Sequence, residues 1–94
     1  MGLREDRYSI EARNSGEGAL SGMLAGETLL ALGLMYSIGR SVEPNLVEAH
    51  KWFNIAALRG NPEAAARRSE VALEMSRSEI ADAQRRARDW LSAH

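Results

Sequence analysis

Few of the side chains that carry catalysis or bind metals are present in this chain of 94 residues. It has no cysteine, which removes disulfides, thiolate metal ligands and a cysteine nucleophile from consideration. His50 and His94 are its only histidines, and they lie far apart in the sequence. A zinc site or a histidine-based triad needs several such groups close together, so we predict no catalytic residue, no metal site and no cofactor. We expect His50, between the packed residues Ala49 and Trp52, to point to solvent.

Clusters of positive charge suggest a different chemistry, which is contact with phosphate groups. Arg85, Arg86 and Arg88 lie close together, and two more arginines are adjacent at positions 67 and 68. Residues 61–94 nevertheless carry six arginines and six acidic residues, and the whole chain has a net charge of −1. Such a balance gives no general attraction to nucleic acid. We therefore interpret these arginines as part of a solvated helix face and predict no nucleic-acid partner.

The stretch Ala19–Ile38 contains a single charged residue, Glu27, and is long enough to cross a bilayer. A carboxylate near the centre of a membrane span is costly, and glycines and hydroxyl residues also interrupt this stretch. We therefore expect a buried helix of a water-soluble bundle and no membrane contact. The first seven residues are polar and charged and lack the apolar segment of a signal peptide, so we predict a cytoplasmic location.

The elements that position these residues are predicted to be helices alone, because residues with high helix propensity are abundant and no strand pattern appears. We expect residues 1–18 to form a flexible N-terminal arm and residues 19–94 to form the domain. A first helix begins near Leu20 and ends before Gly39, where glycine enters the left-handed region at little cost. Inside it lies Gly33, where we expect a neighbouring helix to pass too close for a Cβ atom. The apolar stripe of this helix consists of Thr28, Leu29, Leu32, Met35 and Tyr36.

Polar caps mark the starts of three further helices. Asn45 with Glu48 predicts a capping box before a second helix, Leu46 to about Arg59, which Gly60 ends. An Asn-Pro pair at 61–62 opens the third helix, and a Ser-x-x-Glu capping box at 76–79 opens the fourth. These signals predict an all-α fold of two helix–turn–helix pairs. On the fourth helix, the i,i+4 spacing predicts ion pairs from Asp82 to Arg86 and from Arg85 to Asp89.

Ten residues between positions 32 and 60 have the small, aromatic or apolar character and the spacing of one helical-hairpin repeat. The pattern resembles the Sel-one-like repeat (SLR) family, a bacterial relative of the tetratricopeptide repeat. The resemblance implies an α/α solenoid of about two repeats, in which these ten residues are structural. A second repeat is degenerate, with Arg68, Ser69 and Ala72 in place of leucine, glycine and tyrosine, and such a repeat would cap the array. The ten residues are Leu32, Gly33, Tyr36, Gly39, Ala49, Trp52, Phe53, Ala56, Ala57 and Gly60.

The resemblance implies a scaffold, that is, an adaptor or regulatory subunit that binds a partner peptide, a partner helix or a second copy of itself. In such arrays the first helix of each pair lines a concave surface, and an exposed apolar strip rimmed by charge is typical of an interface. An equally good interpretation is that the N-terminal arm folds over this strip. The groove predicted to bind the partner is lined by Leu30, Ala31, Leu34, Arg67, Glu70 and Glu74.

The alternative function is that of a small-molecule-binding or hydrolytic protein with the same fold. Such a protein needs a deep pocket with convergent polar or titratable groups, and scattered carboxylates with one histidine do not supply it. Trp52 and Phe53 could contribute an aromatic pair to such a pocket, but their helical spacing favours packing in the core. The sequence therefore favours interaction with a protein over catalysis.

Overall fold

The structure, a computed structural model, describes residues 26–94 and is all-helical over that range. Helix α1 spans Glu27–Ile38, α2 spans Leu46–Leu58, α3 spans Pro62–Ala72 and α4 spans Arg77–Ala93. The described residues contain no strand, so the all-α class is confirmed for them. The predicted arm at residues 1–18 and the helix start near Leu20 lie outside the described residues.

Side-chain caps begin three of the four helices, as the sequence predicts. The side-chain oxygens of Asn45 and Asn61 each accept a hydrogen bond of 3.0 Å from the backbone amide three residues on. Before α4, Ser76 accepts from the Glu79 amide at 3.1 Å, and the Glu79 carboxylate accepts from the Ser76 amide at 2.8 Å. This reciprocal pair is a complete capping box.

The predicted capping box at Asn45 is only half formed, which corrects that prediction. The amide of Asn45 donates to the Tyr36 carbonyl oxygen at 2.9 Å, so it does not need the carboxylate of Glu48. That carboxylate is engaged by Lys51 and Arg86 instead. A backbone hydrogen bond therefore joins the start of α2 to the end of α1, and the Glu48 carboxylate forms tertiary contacts instead of a cap.

The end of α1 depends on a glycine, as predicted. Gly39 has φ 78° and ψ 30°, which is the left-handed conformation, and its amide donates to the Met35 carbonyl oxygen at 2.8 Å. A Cβ atom at this position would also lie 2.6 Å from Cγ of Pro44. Both the backbone conformation and the space beside it therefore require glycine, and the chain turns here toward α2.

Small side chains dominate the core and let the helices approach closely. Leu29, Phe53 and Ile55 are its largest fully buried side chains. A Cβ atom on Gly33 would lie 2.4 Å from Cδ1 and Cε1 of the Phe53 ring, well inside the closest contact that real atoms make. This confirms that α2 passes too close to α1 at Gly33 for any side chain. The fully buried alanines are Ala49, Ala56, Ala64 and Ala83, with Ala87 almost fully buried.

Helix α2 is the centre of the arrangement, because α1, α3 and α4 all pack against it. Helices α3 and α4 pack on α2 rather than on each other, so the second pair does not reproduce the close packing of α1 on α2. Ser69, which stands in the place of Gly33, is exposed and its hydroxyl donates to its own helix at the Ala65 carbonyl oxygen, 3.3 Å away.

The structure describes residues 26–38 of the apolar stretch Ala19–Ile38. Over residues 26–94, no helix has the combination of length and apolar character needed to cross a bilayer. Helix α1, the described part of the stretch Ala19–Ile38, has 12 residues.

We expect Gly33→Ala to lower the free energy of unfolding by about 1 kcal/mol. Overpacking against the Phe53 ring costs about 1–3 kcal/mol, and the better helix propensity of alanine offsets roughly 1 kcal/mol of that. Urea unfolding followed by circular dichroism measures the change. In a Phe53→Leu background the same substitution should cost less, because the ring is gone. Stabilisation by Gly33→Ala in the parent, as propensity alone predicts, would contradict the close contact.

Candidate interaction surface

A concave apolar pocket of about 370 Å³ lies on the outer side of α1 and is called the α1 pocket here. Its apolar residues, at positions 31, 34, 35 and 38, recur at helical spacing and so share one face of α1. Its polar residues come from the connection to α2, which bends back over the end of the helix. Ile38 is 66% exposed, although it is a large apolar residue. The pocket is lined by Ala31, Leu34, Met35, Ile38, Arg40 and Ser41.

The rim of the α1 pocket is shaped by an uncommon backbone conformation. Ser41 has φ 67°, a left-handed value that non-glycine residues adopt at a cost of about 1 kcal/mol or more. It follows Gly39 at 78° by two residues, so the chain reverses sharply after α1. This reversal carries Arg40 and Ser41 to the rim of the pocket.

The structure brings together only part of the predicted groove. Ala31 and Leu34 line the α1 pocket, and Leu30 does not. Leu30 and Leu34 are both partly buried and pack against the core cluster. None of the three predicted charged residues lines the pocket. Arg67 instead pairs along α3 with Glu63 at 3.3 Å and with Glu70 at 3.8 Å. Glu74 is exposed in the connection between α3 and α4.

Four of the six pocket residues were not predicted from the sequence. Met35 was assigned to the buried stripe, and it is in fact only partly buried. Ile38 follows Leu34 by one helical turn and immediately precedes the helix-ending Gly39, and this spacing could have placed it on the same face. Arg40 and Ser41 could not have been found this way, because their position depends on the turn conformation.

The ten residues of the repeat pattern occupy structural positions. Gly39 and Gly60 both have positive φ. The buried members are Gly33, Ala49, Phe53 and Ala56, and the partly buried members that pack against the core are Leu32, Tyr36, Trp52 and Ala57.

His50 is buried, and the prediction that it points to solvent is wrong. Only 3% of its surface is exposed, and its Nδ1 atom has no hydrogen-bond partner. It precedes Phe53 by three residues, so it lies near the buried face of α2 rather than on the outer face. Burial and the nearby positive charge of Arg68 both lower the pKa of His50. The side chain is therefore held neutral at neutral pH.

The two tryptophans join α2 to α4 by ring contacts. The rings of Trp52 and Trp90 meet edge to face, with centroids 5.5 Å apart at an angle of 77°. Trp90 in turn stacks on His94 at 4.2 Å, and Lys51 Nζ lies 3.9 Å from the centroid of the Trp52 ring. Edge-to-face pairs of this kind stabilise by about 0.5–1.5 kcal/mol beyond the area they bury. The contacts agree with the interpretation of Trp52 and Phe53 as packing residues.

An ion-pair network also links α2 to α4. The Glu48 carboxylate lies 2.9 Å from both Lys51 Nζ and Arg86 Nη1, and Arg86 Nη2 lies 3.1 Å from Asp82. The predicted pair of Asp82 with Arg86 is thus confirmed. Arg85 does not pair with Asp89 as predicted, because the carboxylate of Asp82, three residues before it on the same helix, engages it instead.

The charges in this network shift two pKa values. Partial burial raises the pKa of Glu48, but hydrogen bonds and charges from Lys51 and Arg86 outweigh that effect and hold it below its ordinary value. The hydrogen bond with Glu48 raises the pKa of Arg86. The acidic and basic groups between α2 and α4 therefore neutralise each other. Residues 26–94 contain no cluster of three or more histidine and acidic side chains placed to hold a metal ion.

Comparison with known proteins gives no assignment. Searches against protein-family models, curated proteins and solved structures find no match. The resemblance to Sel-one-like repeats therefore depends on the residues of the repeat pattern and stays a prediction.

We expect Glu48→Gln to lower the free energy of unfolding by about 1 kcal/mol at pH 7, since Glu48 forms the bridge between two helices. Its folded-state pKa lies below its ordinary value of 4.5. The stabilisation by its carboxylate is therefore complete above pH 4.5 and is lost as the pH falls through the folded-state value. The difference between parent and variant, measured by urea unfolding, should shrink below pH 4.5.

A matched control is Glu63→Gln, which removes a carboxylate that is exposed and pairs with Arg67 within one helix. Such a pair contributes about 0.3–0.5 kcal/mol. Equal losses in the two variants would show that the bridge between α2 and α4 adds nothing beyond a surface pair.

Proposed function

We propose that this protein is an interaction module, an adaptor, scaffold or regulatory subunit of a bacterial cytoplasmic assembly, built on a degenerate pair of Sel-one-like repeats. It binds a partner peptide, a partner helix or a second copy of itself. The observation that carries this proposal is the α1 pocket, an apolar concavity on the outer side of a helix whose inner side is committed to α2.

The chemistry of the pocket favours an apolar partner segment. Four of its six lining residues are apolar, and Ile38 alone leaves two thirds of its surface exposed. Exposed apolar surface of this kind, next to polar residues at the rim, is typical of protein interfaces. Arg40 and Ser41 at the rim supply hydrogen-bond donors that could fix the register of a bound chain.

Only the size of the α1 pocket favours the alternative function, which is binding or hydrolysis of a small molecule. A volume of about 370 Å³ falls within the range of small-molecule sites. Catalysis needs in addition a nucleophile or a general acid and base in hydrogen-bond reach of each other. Arg40 is the single ionisable residue among those that line the pocket, so the lining holds no pair of titratable groups. We therefore keep interaction as the main proposal.

Photo-crosslinking in the producing cell tests the proposal. The photoreactive residue p-benzoylphenylalanine replaces either Ile38 in the α1 pocket or Leu58 at the far end of α2. The two positions are matched, because Ile38 is 66% exposed and Leu58 is 65% exposed. We expect a discrete protein adduct from position 38 and none from position 58. An adduct of twice the chain mass would identify a second copy as the partner.

The same two positions provide an affinity test with the partner so identified. Ile38→Glu should weaken binding by about tenfold or more, since it places a charge in the apolar contact, while Leu58→Glu should leave the affinity unchanged. Isothermal titration calorimetry measures both. No adduct from position 38, or the same adducts from both positions, would contradict the proposal.

A further inference from the structure

The contact between α2 and α3 contains polar groups that are incompletely paired. His50 lies on α2 with 3% of its surface exposed and with Nδ1 unpartnered. Asn54 follows it by one helical turn and accepts a hydrogen bond from Arg68 of α3 at 2.6 Å. Among the described residues, Arg68 forms no ion pair, and at this contact its guanidinium donates to a neutral amide.

The ionisable groups around α2 leave His50 beside one cation. Arg68 is the group whose charge acts on the imidazole and, with burial, lowers its pKa. A hydrogen bond with its own backbone opposes these effects in part, and among the described residues no carboxylate does so. The other ionisable groups on α2 and on the helices packed against it are Glu27 and Tyr36 on α1, Glu48 and Lys51 on α2, Glu63, Arg67 and Glu70 on α3, and Arg77, Glu79, Asp82, Arg85, Arg86, Arg88 and Asp89 on α4.

We propose that His50 makes the contact between α2 and α3 sensitive to acid, so that its protonation beside Arg68 opens this contact. An imidazolium at this place would be a buried cation beside the partly buried Arg68, with no carboxylate counter-ion among the described residues, and an unpaired buried charge is strongly unfavourable. Separation of α3 from α2 lets water hydrate both cations. This response to acid does not involve the α1 pocket, so its test is independent of the test of the proposed function.

The direction of the pH effect follows from the proton affinities of the two states. In the open state His50 titrates near the ordinary pKa of about 6.5, and in the closed state its pKa is lower. The stabilisation that comes from neutral His50 is therefore present above about pH 6.5 and is lost as the pH falls below it. Each pH unit in that window raises the ratio of open to closed molecules by up to about tenfold.

The experiment measures urea unfolding and amide hydrogen-exchange protection factors of the whole chain between pH 7.5 and 5.0. We expect the parent to lose stability below about pH 6.5, and the amides of α3 to lose protection by a larger factor than those of α1. His50→Leu, which has similar bulk and no titratable group, should show neither effect. His94→Gln is the matched control, because it removes the other, exposed histidine and should behave like the parent.

A measurement on the unaltered chain keeps the proposal testable whatever the stability of the variants. Titration of the two imidazole C2–H signals by NMR should show His50 taking up its proton at a lower pH than an unperturbed histidine. Arg68→Gln should move that titration upward, toward about 6.5. The proposal is overturned if His50 titrates at its ordinary value, if His50→Leu keeps the pH dependence of the parent, or if α1 and α3 lose protection equally.

Discussion

The packing of Gly33 against the ring of Phe53 is the contact on which the other helix contacts depend. The ring occupies the space that a Cβ atom on α1 would need, and Phe53 is 1% exposed as a result. Because α1 lies this close, the surface of α1 itself covers that side of α2, and long side chains are not needed to fill the space. Fully buried alanines on α2, α3 and α4 then bring the remaining helices to the same central element. A side chain at position 33 would therefore disturb more than one pair of helices.

Because α2 is surrounded, its three neighbours provide the outward surfaces of the described part of the chain. These surfaces differ in chemistry. On α3 and α4 several exposed charges are paired within their own helices, as in Arg67 with Glu63 and Arg86 with Asp82. The outer face of α1 has no such pairs and presents leucine, methionine and isoleucine instead. This uneven division of charge is the physical basis of the proposal that a partner binds at α1.

Features that depend on a few adjacent residues were predictable from the sequence. The caps at Asn61 and Ser76 and the left-handed Gly39 follow from local chemistry that tertiary structure does not override. Two of the wrong predictions, at Glu48 and His50, concern partners that lie far away in the sequence. Arg86 is 38 residues from Glu48 and draws its carboxylate away from the expected cap.

The pocket and the burial of His50 were missed for the same reason. The position of Arg40 and Ser41 depends on a backbone reversal that no composition rule indicates, since serine rarely adopts φ 67°. The burial of His50 depends on where α3 lies, and the charged sequence of α3 gave no sign that Arg68 would approach α2. Helical periodicity identifies the faces of one helix but does not say which neighbour covers each face.

Different kinds of interaction stabilise the contacts of α2 with α3 and with α4, and this difference determines which contact responds to pH. Two buried side-chain nitrogens on α2 have no hydrogen-bond partner among the described residues: Nε1 of Trp52, whose ring meets Trp90 of α4, and Nδ1 of His50, which lies one helical turn before the Asn54 that binds Arg68 of α3. Such a nitrogen costs about 1–3 kcal/mol, a large fraction of the 5–15 kcal/mol that stabilises a typical domain. On the α4 side, the ring of Trp90 and the ion pairs of Glu48 offset that cost.

On the α3 side the stabilising contacts are weaker, and the nearby charge is positive, which disfavours protonation of His50. A single hydrogen bond from Arg68 to Asn54 crosses between the helices near His50, and the donor is itself a cation. Neutral imidazole tolerates that neighbour, whereas imidazolium does not, because the repulsion adds to the loss of hydration. The ion pairs between α2 and α4 thus keep their strength until carboxylates begin to protonate, and the α2–α3 contact weakens when His50 takes up a proton. The order of opening on acidification is fixed by the placement of one carboxylate, Glu48, on the α4 side of α2 and by the lack of a counterpart beside His50 in the described chain.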